Sequence, residues 1–251
     1  MTFETFSTGS SILHRLDVRT KLLAALLLIG VLAVSTSFPA AAGGLATGAA
    51  LVLGAGLDRQ AVIKRLLLVN GFVLFLWITL PLSYPGTPLF SFGPVPLSRE
   101  GILLALLITI KTNGAVLIMI ALIATSTVSD LGHGLSRLKI PDVFCMLLLF
   151  SYRYLSVIHQ EYQRLQRAAR LRCFQARTSI HTYRTYGYLF GMTLVKSHHR
   201  AERVRKAMVL RGFDGRFYSL NTSTIGSRDI GFAAVAIVLT ATILVLEWRF
   251  A

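Results

Sequence analysis

Acidic side chains are scarce in this chain: 11 Asp and Glu stand against 26 Lys and Arg in 251 residues, and charged residues of both signs make up only 15%. Combined with 54% hydrophobic residues and a mean hydropathy of +0.63, so little charge excludes an ordinary soluble globular domain. Cysteine is equally sparse. Cys145 and Cys173 lie 28 positions apart without Cys-x-x-Cys or Cys/His spacing, which indicates neither a disulfide framework nor a zinc site. Also missing are a Gly-x-Ser-x-Gly elbow, a His-Glu-x-x-His pair and a Gly-x4-Gly-Lys-Ser/Thr loop, so neither hydrolase chemistry nor nucleotide binding carries its usual signature. Among six histidines only His198 and His199 adjoin. Neighbours on a helix point in different directions, so no metal site is expected.

Long apolar runs are what the chain does have. Leu22 to Phe38 is free of charge and follows His14, Arg15, Arg19 and Lys21; it is long enough to cross a hydrocarbon core of about 30 Å. A cleavable leader ending near Ala40 is disfavoured, because Asp17 interrupts the basic lead and further spans follow. Ala40 to Leu57 reads as a second span, rich in Gly and Ala, pairing with the first as a hairpin and offering a surface for close helix contact or for a sliding partner. Leu66 to Ser83 is a third span, followed by a Pro/Gly-rich loop from Tyr84 to Glu100. The positive-inside rule puts the N-terminus and residues 58–65 on the cytoplasmic side. Because the basic residues sit between apolar runs, the net charge of +15 points to membrane loops and not to nucleic acid.

The fourth span, Gly101 to Thr125, carries Lys111 near its middle with Thr109, Thr112 and Asn113 beside it. A charge at that depth faces protein, and the structural reading, in which Lys111 satisfies backbone or Asn70 inside the bundle, is favoured over an ion pathway because no carboxylate relay accompanies it. Residues 130–139 and the basic region after residue 159 both belong on the cytoplasmic side, so Pro141 to Ile158 is not expected to cross alone. Ser151 and Arg153 break its apolar run; the segment reads as an amphipathic or shallowly buried helix whose far end runs into the basic region that follows, with Arg153 grouped with Lys111 and Asn113 as polar candidates for the bundle interior. Gly231 to Leu246 is a fifth span, ending in Trp248-Arg249. The expected organisation is all-α and polytopic: a four-span membrane domain over 1–128, a cytoplasmic helical domain over 129–228 and a last transmembrane helix over 229–251.

Residues 159–228 hold 14 of the 26 Lys and Arg against Glu161, Glu202 and Asp214, a concentration beyond what topology requires. Within them Arg164-Leu-Gln-Arg-Ala-Ala-Arg-Leu-Arg-Cys-Phe174 returns 39 residues later as Arg203-Val-Arg-Lys-Ala-Met-Val-Leu-Arg-Gly-Phe213, identical at five of eleven positions. Helical spacing puts Ala168, Leu171 and Arg172 on one face, and likewise Ala207, Leu210 and Arg211. Gly212 is expected to cap its helix with Arg211 in the last turn, while Cys173 stands at the equivalent position of the first copy. Basic density alone would serve anionic lipid, which leaves a lipid-bound scaffold as a rival from another class. The repeated Ala-x-x-Leu-Arg order favours two equivalent protein-docking sites.

Read in order, His14-Arg-Leu-Asp-Val-Arg-Thr-Lys21, Thr125-Ser-Thr127, Leu138-Lys-Ile-Pro141, Tyr152-Arg-Tyr-Leu155 and Gly212-Phe-Asp-Gly-Arg-Phe217 resemble the transmembrane T-component of energy-coupling factor (ECF) transporters, closest to the cobalt-transport CbiQ branch. The family's two Ala-Arg-Gly signatures are represented by Leu171-Arg172-Cys173 and Leu210-Arg211-Gly212, where only the arginine is kept in both. The resemblance implies long crossed coupling helices, two ABC-type ATPase subunits (CbiO-like) that bind the ATP and Mg, and a separate substrate-binding membrane subunit (CbiM-like). It implies a non-catalytic chain that binds no cofactor itself and couples ATPase motion to import. Cobalt is the expected substrate, with nickel, biotin or a shared vitamin system as alternatives.

Overall fold

A computed structural model describes residues 9, 11–92, 95–215 and 226–250. The chain divides into two compact units, residues 1–134 with 222–251, and residues 135–221. In the first unit a short 3-10 turn (Ile12–Arg15) precedes α1 (Val18–Val34), α2 (Phe38–Ala55) and α3 (Arg59–Ser83). Next come the strands β1 (Pro88–Phe92) and β2 (Val95–Ser98), then α4 (Arg99–Leu122) and α5 (Val128–Arg137), which runs across the boundary between the units. The second unit is built on α6 (Asp142–Leu171) and α7 (Ile180–Leu210), and α8 (Ser227–Phe250) returns to the first. The architecture is helical throughout, apart from the β1–β2 hairpin. That hairpin forms where a loop was expected, pairing Pro88 with Ser98 and Phe92 with Val95 in antiparallel register.

Among the described residues five helices are long and apolar enough to cross a membrane by length and composition: α2, α3, α4, α6 and α8. The number matches the sequence reading but the membership differs. Helix α6 qualifies because Asp142 begins one uninterrupted 30-residue helix, whereas Arg153 and Ser151 had split the run in the sequence. Helix α1 counts 17 residues, at the lower limit of about 17 for a span. Its Leu28 and Leu32 are enclosed with Ile118 and Leu122 of α4 and Ile243 of α8. Helix α3 instead turns Leu67, Leu68, Phe72 and Phe75 outward, the pattern of a helix whose solvent on that side is lipid.

Close approach around α2 rests on its glycines. A Cβ on Gly48 would come within 2.9 Å of the Gly114 carbonyl of α4, one on Gly44 would overlap Leu32 of α1, and Gly43 faces Leu246 and Ile243 of α8. Small side chains let helix backbones meet where lipid offers no hydrophobic drive to association. The glycine face is therefore engaged within the chain, which corrects the expectation of a free sliding surface at Gly44 and Gly48.

Polar groups tie the same helices together. Lys111 Nζ donates to the carbonyls of Ala33 (2.8 Å) and Ser35 (2.6 Å), satisfying acceptors that the end of α1 leaves open. Asn70 and Asn113 exchange amide bonds at 3.1 and 2.9 Å, and Trp77 Nε1 donates to Thr109 at 2.9 Å. Thr109, Lys111 and Asn113 of the α4 stripe are thus hydrogen-bonded to neighbouring helices, and Lys111 meets backbone and not Asn70. Helix α8 adds two carboxylates. Asp229 accepts from the Asp17 backbone N–H at 2.8 Å, and Glu247 accepts from the backbone and hydroxyl groups of Thr36 and Ser37 in the α1–α2 turn.

Lys21 is 1% exposed and donates to Ser126 Oγ at 3.1 Å, with the charges of Asp130, Asp17 and Asp229 acting on it. A buried ammonium so placed links α1, α8 and the turn into α5. Removing one partner of a buried charge set leaves the rest uncompensated. Lys21→Met should therefore cost about 3–5 kcal/mol and lower the thermal unfolding midpoint in detergent, while Lys64→Met, on the exposed face of α3, leaves it within a degree or so of the parent.

Candidate docking tips

Helices α6 and α7 run antiparallel and touch through specific pairs. Tyr162 stacks on Phe190 with ring centroids 5.2 Å apart, and Lys196 Nζ bonds Glu161 Oε1. Phe174 meets Tyr186 edge-on at 5.8 Å, while Phe150 and Tyr154 line the same groove as Met208 and Phe213. The two copies of the repeat consequently lie at opposite ends of the pair. The 31 residues of α7 alone rise about 45 Å.

Each copy ends in the same backbone device. In the first, Cys173 N–H donates to Arg170 O (3.0 Å) and Phe174 N–H to Ala169 O (3.2 Å); in the second, Gly212 N–H donates to Val209 O (3.0 Å) and Phe213 N–H to Met208 O (3.1 Å). This paired closure satisfies helix-end carbonyls and requires a left-handed residue after the cap. Cys173 (φ 62°) and Gly212 (φ 78°) occupy that position. Arg172 and Arg211 are the caps themselves, with φ of −90° and −93°, one step beyond the last turn expected for Arg211. The cysteine does not alter the closure. It adopts the conformation that glycine adopts freely, against an expected cost of about 1–2 kcal/mol.

The closure leaves Leu171 87% and Leu210 88% exposed. Ala168, Arg172, Cys173, Ala207, Arg211 and Gly212 are exposed as well, and the free Cys173 thiol is among them. An apolar side chain and a guanidinium are thus presented side by side at each tip, with Phe174 and Phe213 half-buried behind them. Arg153 departs from the expectation of a bundle-interior site: it is exposed, its Cζ lies 5.9 Å from the Tyr154 ring, and it lines a recess with Arg211 and Gly212. Lys111 and Asn113 belong to the first unit. No group of His, Cys, Asp and Glu able to hold a metal occurs among the described residues. The sequence reading did not anticipate the role of Lys21, Asp17 and Asp229, whose partners lie up to 212 positions away.

Residues 9–222 match the family described as CbiQ, cobalt transport protein. This chain belongs to that family. It is a T-component of ECF transporters and a multi-pass membrane protein. It is 25% identical over 258 residues to the energy-coupling factor transporter transmembrane protein EcfT 1 of Listeria monocytogenes, covering 96% of each chain. Similarity is also found to the nickel permease LarQ of Lactiplantibacillus plantarum, 31% over 125 residues, covering 50% of this chain and 44% of the permease. An uncharacterized protein of Methanocaldococcus jannaschii is 28% identical over 128 residues, 51% of this chain and 47% of that one. The chain thus spans about half the length of two of these relatives and nearly all of the third. Membership in the family implies partnership with ATPase subunits and a substrate-binding membrane subunit.

The strain at the first tip of this T-component is testable. Cys173→Gly should stabilise the end of α6 by about 1 kcal/mol, slowing amide exchange over residues 169–174. Gly212→Ala should accelerate exchange over 208–213 by a comparable factor. Equal exchange in parent and variants would contradict the left-handed assignment.

Proposed function

We propose that this T-component couples ATP hydrolysis in two CbiO-like ABC-type ATPase subunits, which bind the ATP and Mg, to a CbiM-like substrate-binding membrane subunit, and that cobalt is the ion imported. The chain itself is non-catalytic and binds no cofactor. The observation that carries the reading is the pair of like tips, Leu171-Arg172-Cys173 and Leu210-Arg211-Gly212, each exposed on the same backbone closure. Two like tips at opposite ends of an antiparallel pair suit a partner with two grooves, one per ATPase subunit. Arg172 and Arg211 meet carboxylate or carbonyl groups there, in charge-assisted bonds of about 1.5–3 kcal/mol each. In this reading the N-terminus and residues 129–228 face the cytoplasm, as the excess of Lys and Arg there favours, and the apolar start of α6, though long enough to cross, lies shallowly against the membrane. Closure of the ATPase dimer moves α6 against α7, and the membrane subunit that holds the ion follows.

Nickel is the second reading, supported by the likeness to a protein named as a nickel permease. Uptake of labelled cobalt against labelled nickel in cells carrying the whole complex separates the two. For coupling itself, Arg172→Ala with Arg211→Ala should reduce ATPase co-purification and uptake at least about tenfold while the chain still inserts in the membrane. Each single change should be milder. Wild-type co-purification and uptake in the double variant would refute the docking role.

A further inference from the structure

Helices α6 and α7 are fastened along one half of their length and diverge along the other. In the fastened half Phe174 reaches back to His181 and Tyr186, with ring centroids 6.4 and 5.8 Å away, and Tyr162 stacks on Phe190. In the diverging half the helices line a groove of about 530 Å³, with Phe150, Tyr154 and Ile158 on α6 and Val204 and Met208 on α7. The ion pair of Glu161 and Lys196 stands where one half gives way to the other. Glu161 adjoins the stacked Tyr162 and follows Ile158 of the groove by about one helical turn, and Lys196 adjoins Ser197, which lines the groove as well.

Acids are scarce at this junction. From Val143 to Leu210 the chain carries Glu161 and Glu202, and Glu202 is exposed. Three cations act on the Glu161 carboxylate: Lys196, Arg164 and Arg200. Arg164 follows Glu161 on α6 at i+3 and Arg200 follows Lys196 on α7 at i+4, spacings at which helical side chains share a face. The side chain of Glu161 is 18% exposed and that of Lys196 41%, so solvent screens the charges only in part.

We infer that Glu161 is the positioning residue of the helix pair: its carboxylate offsets the repulsion between the basic faces of α6 and α7 and so sets the angle at which α7, carrying the second tip, leaves α6. Without that carboxylate Lys196 and Arg200 of α7 confront Arg164 of α6 at the junction, and the aromatic contacts, all on the fastened side, serve as the hinge. Losing Lys196 differs, because Arg164 and Arg200 remain to meet the carboxylate. The two members of this ion pair are therefore unequal, whereas in a simple bridge either loss has the same effect. An opening of about 15° at the junction would move Val209, thirteen positions beyond Lys196 and thus about 20 Å further along α7, by about 5 Å. The consequence for coupling rests on the docking proposed above: a second tip held at one angle passes motion on, and a loose one does not.

Double electron–electron resonance on the full chain in lipid nanodiscs tests the inference, with spin labels at Val143→Cys on α6 and Val209→Cys on α7, both exposed positions. Cys173→Gly removes the exposed native thiol, and Cys145 is buried. Glu161→Gln should lengthen the mean distance by about 5 Å or more and broaden its distribution, and Lys196→Met should move it far less. Exchanging the charges, Glu161→Lys with Lys196→Glu, should restore the parent distance, because the acid then sits on α7 among the same cations. A parent-like distance in Glu161→Gln, or an exchange variant as open as Glu161→Gln, would overturn the inference. An opening of about 5 Å in Lys196→Met would overturn it too, and that arm stands even where Glu161→Gln fails to fold. The distances are measured without the ATPases, so their failure would leave the docking proposal standing, and failure of the Arg172 and Arg211 test would leave the distances standing. In the whole complex, uptake should fall in Glu161→Gln and recover in the exchange variant, a recovery that lost packing alone would not give.

Discussion

Backbone reversal into the left-handed region at Cys173 and Gly212 is the constraint on which the geometry of the two tips depends. A helix that ends must satisfy its last carbonyls, and here the N–H groups of the two following residues do so at both tips. The same turn leaves the last helical leucine in solvent and sends the next aromatic back toward the helix pair. Were either helix to continue, leucine and arginine would lie along a helical flank and not at an end. Phe174 against Tyr186 helps the first copy keep a conformation that a non-glycine residue seldom adopts.

The membrane unit depends on a different economy of contacts. Glycines of α2 admit α1, α4 and α8 to close range, and few polar groups then fix the arrangement. Asp229 and Glu247 lie 18 positions apart on α8, one bonded at the start of α1 and the other at the α1–α2 turn. That separation corresponds to about 27 Å of helix, close to the thickness of a hydrocarbon core. Both ends of α1 are therefore held by α8, while Lys111 closes its last carbonyls from α4. Lys21 and Ser126 extend the network to the turn before α5, the helix that leads into the second unit.

Legibility in the sequence followed the range of the interactions. The repeat and the apolar runs of α2, α3, α4 and α8 could be read because each rests on local spacing. Helix α6 could be read as one helix running into the basic copy, but not as a candidate span, because Ser151 and Arg153 interrupt its apolar start. The hairpin over 88–98 was hidden among prolines and glycines that read as loop. Arg153 was misassigned because its helical neighbours are apolar, yet that face belongs to an open groove and not to a bundle interior. Lys21 passed as one more basic residue ahead of a span; nothing local announces that Asp229, more than 200 positions later, bonds beside it. Cys173 concealed a glycine-like turn, and only the recurrence of phenylalanine after it in both copies hinted at the shared closure.

Amide exchange of the chain alone and in complex with its ATPase subunits tests the central claim most directly. The account predicts new protection at both tips, over residues 169–174 and 208–213, of similar size and lost together when the ATPases dissociate. Protection at neither tip, or confined to surfaces away from them, would contradict it.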